Sequence, residues 1–260
     1  MKIHFFKYQA TGNDFVLIDN RQAQYKLSTD DIKAICHRKF GVGADGLMLV
    51  ENHPDAHFNL VYYNSDGSQS LCGNGSRAAV QLAARLGLVN GKANFEAFDG
   101  LHYAEIGSDG EVKLKMNDVG SVRTFGKDLF INTGSPHYIR FVDDAAGYPV
   151  VEEGRRIRYG ADFAPGGTNV NFVECRPDQS IFVRTYERGV EDETLSCGTG
   201  VTAAAIAASL RGINSPVKIV TLGGDLQVEF KRREVDGTIS FHDIYLIGPA
   251  KMVFEGDLEL

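Results

Sequence analysis

The chain has 260 residues, 43% of them hydrophobic and 23% charged, with 29 glycines and no tryptophan, the make-up of an ordinary globular enzyme with one or two cores. A net charge of −7, with no basic run longer than Lys231-Arg232-Arg233, argues against a nucleic-acid partner. No apolar stretch is long enough for a signal peptide or a membrane span, so a cytoplasmic protein with no membrane attachment is expected.

In chain order, Thr29–Phe40 reads as a helix with Ile32, Ile35, Cys36 and Phe40 on one face. Phe58–Tyr63 reads as a short alternating strand. Cys72-Gly-Asn-Gly then opens a helix whose Ala78–Ala84 body is uncharged. Phe95–Phe98, a turn at Asp99-Gly100 and Leu101–Ile106 form a predicted hairpin, and Asp109-Gly110 turns into the strand Glu111–Met116. Asn169–Cys175 and Ile181–Tyr186 are predicted strands, and Cys197-Gly-Thr-Gly opens an uncharged helix over Val201–Leu210. Val217–Leu222, Leu226–Phe230 and Thr238–Leu246 follow as strands, punctuated by Gly223-Gly224 and Asp236-Gly237.

This order contains a repeat. Cys72 to Gly87 aligns without a gap on Cys197 to Gly212, sharing the cysteine, two early glycines, Ala78/Ala203, Ala79/Ala204, Ala83/Ala208 and the closing glycine. The hairpins that follow match in kind. Upstream, Thr11-Gly-Asn-Asp-Phe-Val16 has a looser echo in Thr168-Asn-Val-Asn-Phe-Val173. A period above a hundred residues implies two similar domains rather than a solenoid. A helix apolar all round must be buried all round. The expected fold is therefore α+β, with two pseudo-symmetric domains, each a curved, mostly antiparallel sheet or barrel wrapped around a central helix. The expected division is 1–117 plus 250–260, carrying Cys72, and 118–249, carrying Cys197.

The four cysteines have neither CxxC spacing nor zinc-finger intervals, so free thiols and no metal site are expected. Cys36 and Cys175 read as structural. Cys72 and Cys197 stand at helix starts, where unpaired amide N–H groups and the positive end of the dipole favour anions. That field favours a thiolate, and the glycines at 73, 75, 198 and 200 would let a carboxylate approach the backbone. Inverting an α-carbon needs a base on one face and an acid on the other, which a thiolate and a thiol supply. The helix ends would stabilise charge developing on the α-carboxylate. No dinucleotide or phosphate-loop motif is present, and no cofactor is expected.

At these residues the chain resembles the diaminopimelate epimerase family over essentially its whole length. The resemblance is carried by Thr11-Gly-Asn-Asp-Phe-Val16, Gly41-Val-Gly-Ala-Asp-Gly46, Asn64-Ser-Asp-Gly67, Cys72-Gly-Asn-Gly75, Gly134-Ser-Pro-His137, Asn169-Val-Asn-Phe172, Tyr186-Glu-Arg-Gly189 and Glu193-Thr-Leu-Ser-Cys-Gly-Thr-Gly200. It implies cofactor-free interconversion of LL- and meso-diaminopimelate, on the route to lysine and peptidoglycan, by a homodimer. It also implies roles: Cys72 and Cys197 as acid and base, and Gly73-Asn74 and Gly198-Thr199 as the cradle for the reacting carboxylate. Asn13, Asn64, Asn169, Glu187 and Arg188 would hold substrate, with Glu187 and His137 accessory to catalysis. Gly46 and Ser135 depart from the family pattern, where glutamine and asparagine also occur. Two other readings are a two-cysteine racemase of another amino acid such as histidine, and a catalytically silent diamino-acid binding protein.

Overall fold

The computed structural model describes residues 1–260, which divide into two compact units. One comprises Met1–Leu114 with Gly248–Leu260, the other Lys115–Ile247.

The first unit runs β1 (Lys2–Ala10), β2 (Asn13–Asp19), α1 (Thr29–Cys36), β3 (Gly46–Glu51), β4 (Phe58–Asn64), α2 (Gly73–Arg85), β5 (Lys92–Ala97), β6 (Gly100–Ile106) and β7 (Val112–Lys115). Strands β1 and β2 pair antiparallel, β2 and β3 parallel, β3 and β4 antiparallel, and β4 and β5 parallel; β5–β6 and β6–β7 are antiparallel. The C-terminal strand Lys251–Glu259 covers the other edge of β1. Each parallel step is bridged by a helix, as a crossover requires. Helix α2 touches β1, β2, β3, β4 and β6, so this sheet curves around it.

The second unit runs β8 (Arg123–Phe125), β9 (Asp128–Asn132), β10 (Pro136–Phe141), α3 (Val150–Arg158), β11 (Asn169–Cys175), β12 (Ile181–Glu187), β13 (Asp192–Thr194), α4 (Gly198–Ser209), β14 (Val217–Thr221), β15 (Gly224–Val235) and β16 (Thr238–Gly248). From β9 the pairings repeat those of the first unit: antiparallel to β10, parallel to β11, antiparallel to β12, parallel to β14, then antiparallel through β15 and β16. Helix α4 packs against β9, β10, β11, β12, β14 and β15, and every residue from Gly200 to Ala208 is buried. Alanine along both helices lets strands close in on every side. The fold is thus α+β with two topologically matched halves.

Four details differ from the sequence reading. The upstream echo lies elsewhere: β2 corresponds to β10, so Thr11-Gly12-Asn13 matches Thr133-Gly134-Ser135, with a two-residue turn in the first half and a three-residue one in the second. Helix α1 ends at Cys36 because His37 adopts an extended backbone, which leaves Phe40 89% exposed instead of in the core. Cys175, the last residue of β11, is exposed. Finally, a Cβ on Gly75 would lie 2.6 Å from Met48 Cε, and one on Gly200 2.5 Å from Asn171 Oδ1. Those two glycines make room for the strand beneath, not for a ligand.

Candidate active site

Cys72 and Cys197 are the N-caps of α2 and α4, with nearly identical backbones (φ −130°, ψ 113° and φ −125°, ψ 114°). Gly73 and Gly198 begin the helices, and no acidic residue occupies either first turn to oppose an anion. Gly75 N–H donates to Cys72 Sγ at 3.4 Å. Cys197 is 8% exposed.

Around Cys72 the side chains form a linked set. Asn13 donates from Nδ2 to the Asp45 carboxylate at 2.5 Å, which turns its Oδ1 towards Cys72 Sγ (3.4 Å) and Asn74 Nδ2 (3.5 Å). Asn74 Oδ1 in turn accepts from the guanidinium of Arg77 at 3.0 Å, and Arg77 also reaches Thr11 Oγ1 at 3.3 Å. Arg77 is fully buried, and burial pulls its pKa down to about 10, so it remains a cation at neutral pH. Behind Asp45, Arg38 bridges Asp45 and Asp14, and Lys7 holds Asp14 from the other side at 2.6 Å. Burial alone would raise the Asp14 carboxyl, but hydrogen bonds from Arg38 and Lys7 outweigh it and bring it to about 2.

Around Cys197 the pattern is different. Thr199 Oγ1 lies 3.5 Å from Cys197 Sγ and 2.9 Å from His137 Nε2. His137, on β10, is fully buried; burial, assisted by the charge of Arg188, lowers it to about 3, so its ring is neutral at physiological pH. Its Nδ1 meets Asn171 Nδ2 at 3.0 Å. Thr133 Oγ1 donates to the Thr199 carbonyl at 2.9 Å, tying the β9–β10 turn to the first turn of α4.

The remaining predicted residues lie at strand ends. Asn64, closing β4, is held within its own turn by Ser68 Oγ (3.0 Å) and Ser70 Oγ (3.3 Å). Asn169 spends its amide on the scaffold: Nδ2 donates to Ser135 Oγ and the Pro136 carbonyl, and Oδ1 accepts from Arg188 N–H. Glu187 accepts from Thr194 Oγ1 at 2.9 Å, and the exposed Arg188 reaches the Gly166 carbonyl at 3.3 Å. Gly46 is pinned by a different constraint, since a Cβ there would sit 2.4 Å from the Tyr62 ring. The structure therefore gathers Asn13, Gly73 and Asn74 at Cys72, and His137, Gly198 and Thr199 at Cys197. It also adds Asp45, Arg77, Thr133 and Asn171, of which Asp45 lies within Gly41-Val-Gly-Ala-Asp-Gly46 and Asn171 within Asn169-Val-Asn-Phe172.

The family model for diaminopimelate epimerase matches residues 5–122 and 129–253. A diaminopimelate epimerase of Flavobacterium psychrophilum is 46% identical over 254 residues, spanning 96% of this chain and 98% of its own. The chain belongs to the diaminopimelate epimerase family. Among solved structures, a phenazine-biosynthesis PhzF-family protein from Bacillus anthracis superposes with a TM-score of 0.75 at 14% identity, covering 100% of both chains. A probable proline racemase from Agrobacterium radiobacter K84 gives 0.70 at 15%, covering 99% of this chain and 93% of its own. At such identities these two attest the fold alone.

Proposed function

We propose that the chain is a cofactor-independent isomerase that interconverts LL- and meso-2,6-diaminopimelate, using Cys72 and Cys197 as the two proton-transfer groups. The observation that carries this reading is the pair of cysteines capping matched, buried helices in two halves of the same topology. The reaction requires the two sulfurs to address opposite faces of one α-carbon. The thiolate removes the α-proton as the thiol delivers another, and the sulfurs exchange roles in the reverse direction. Charge built up on the α-carboxylate would be met by the first-turn amides that begin at Gly73-Asn74 and Gly198-Thr199. Asn13, Asn64, Asn169, Glu187 and Arg188 are assigned to the substrate, Arg188 gripping the distal carboxylate. His137 and Glu187 act as accessories. Both thiols must stay reduced, which suits a cytoplasmic enzyme, and a homodimer is part of the same proposal.

The test is a panel of LL-diaminopimelate, L-lysine, L-histidine, L-glutamate and L-proline in heavy water, scored for deuterium at the α-carbon. Diaminopimelate should exchange fastest by a wide margin. Faster exchange of histidine would move the chain to the racemase reading, and no exchange with any substrate would leave the binding-protein reading.

A further inference from the structure

The side chains beneath Cys197 have a fixed hydrogen-bond direction. Asn171 Nδ2 faces the Tyr138 carbonyl at 3.3 Å, a group that only accepts, while its Oδ1 accepts from the Thr185 hydroxyl at 2.9 Å. The amide is therefore oriented, and the same Nδ2 must donate to His137 Nδ1, 3.0 Å away. The ring proton is thereby placed on Nε2, which donates to Thr199 Oγ1 at 2.9 Å. An oxygen already accepting one N–H is a better donor, and Cys197 Sγ lies 3.5 Å from that hydroxyl.

The other half supplies an internal comparison. Register places Phe15 opposite Gly46 and His137 opposite Asn169, so Phe15 corresponds to His137 and Met48 to Asn171. The glycine contacts agree, since a Cβ on Gly75 would meet Met48 and one on Gly200 would meet Asn171. Both Phe15 and Met48 are fully buried, so apolar side chains satisfy this position in the fold. Buried polar groups cost free energy unless fully paired, and a polar pair at a position that is apolar in the other half calls for a chemical reason. At Cys72 the chain of bonds ends with the opposite polarity, because the Asp45 carboxylate turns the accepting Oδ1 of Asn13 towards the sulfur.

We propose that Asn171, His137 and Thr199 form a one-way donor relay that holds Cys197 as a thiolate in the resting enzyme, with Asn171 and His137 as positioning residues. The proposal rests on the two-cysteine reading above. The Arg188 cation disfavours protonation of His137, and Glu187 accepts from Thr194. At Cys72 the buried Arg77 cation interacts with both the sulfur and Glu111.

The test is a pH titration of the cysteine Cβ resonances in ¹³C-labelled full-length protein without substrate, assigned with single Cys→Ser variants. Cys197 should titrate below about 7, against about 8.5 for an ordinary thiol. Thr199→Val should raise that midpoint by at least one pH unit, a tenfold loss of thiolate, and Thr199→Ser should restore it while the Cys72 midpoint stays in place. Asn171→Met, which copies the other half, should act as Thr199→Val does. A wild-type Cys197 midpoint near the ordinary value, or one unmoved in folded Thr199→Val, overturns the relay. Because no substrate is involved, that result combined with normal diaminopimelate turnover would remove the relay and leave the proposed function standing.

Discussion

Lowering the pH from 7 to 5 should destabilise the second half through His137 alone. The ring is fully buried and titrates at about 3, against about 6.5 when unfolded. The folded value lies below the unfolded one, so the unfolded chain takes up the proton first as pH falls. The stability contributed by the neutral ring is complete above about 6.5 and is lost between there and about 3, at about 1.4 kcal/mol per pH unit. Between pH 7 and 5 the proton bound only by the unfolded chain amounts to about 2 kcal/mol. Urea unfolding of the wild type and of His137→Gln at pH 7, 6 and 5 isolates this effect, because the two proteins differ only at this side chain. The wild type should lose about 2 kcal/mol more than the variant over this range. Parallel losses in the two proteins would refute a neutral, buried His137 and the hydrogen-bond directions that follow from it.

Cys72→Ser and Cys197→Ser should each lower epimerisation by several orders of magnitude with unfolding midpoints near wild type, since a serine hydroxyl is far less acidic than a thiol; steady-state kinetics and circular dichroism check both. Gly200→Ala should cost ~1–3 kcal/mol in urea unfolding, because its Cβ would sit 2.5 Å from Asn171 Oδ1 in a packed core. Arg188→Ala should raise KM and lower turnover for diaminopimelate, with stability changed by less than about 0.5 kcal/mol, as befits an exposed side chain.

Both helices and their capping cysteines were legible because the pattern is local: a cysteine, two glycines and an uncharged alanine run read the same in either half. The hairpins were legible for the same reason. The upstream repeat was not, since Thr11-Gly12-Asn13 and Thr133-Gly134-Ser135 share only two residues, and the parallel registers of β2 on β3 and β10 on β11 are what equate them. Asn171 and His137 lie 34 residues apart and meet only through the parallel pairing of β10 with β11. Gly75 and Gly200 read as openings for a ligand because sequence cannot say which side of a helix start a strand will occupy. The ends of elements misled too: Phe40 fits a helical period that an extended His37 cuts short, and Cys175 stands at the exposed end of its strand.

Two-base inversion is tested most directly by following LL-diaminopimelate in heavy water at low conversion. A thiol carries a single proton, so a sulfur that has just removed the α-hydrogen can return only that hydrogen to the same face. The deuterium must come from the other sulfur, on the opposite face. Early in the reaction the meso product should therefore carry deuterium at the inverted α-carbon while recovered LL substrate carries almost none. Recovered substrate that gains deuterium as fast as the product would mean one group serving both faces, and would contradict the pairing of Cys72 with Cys197.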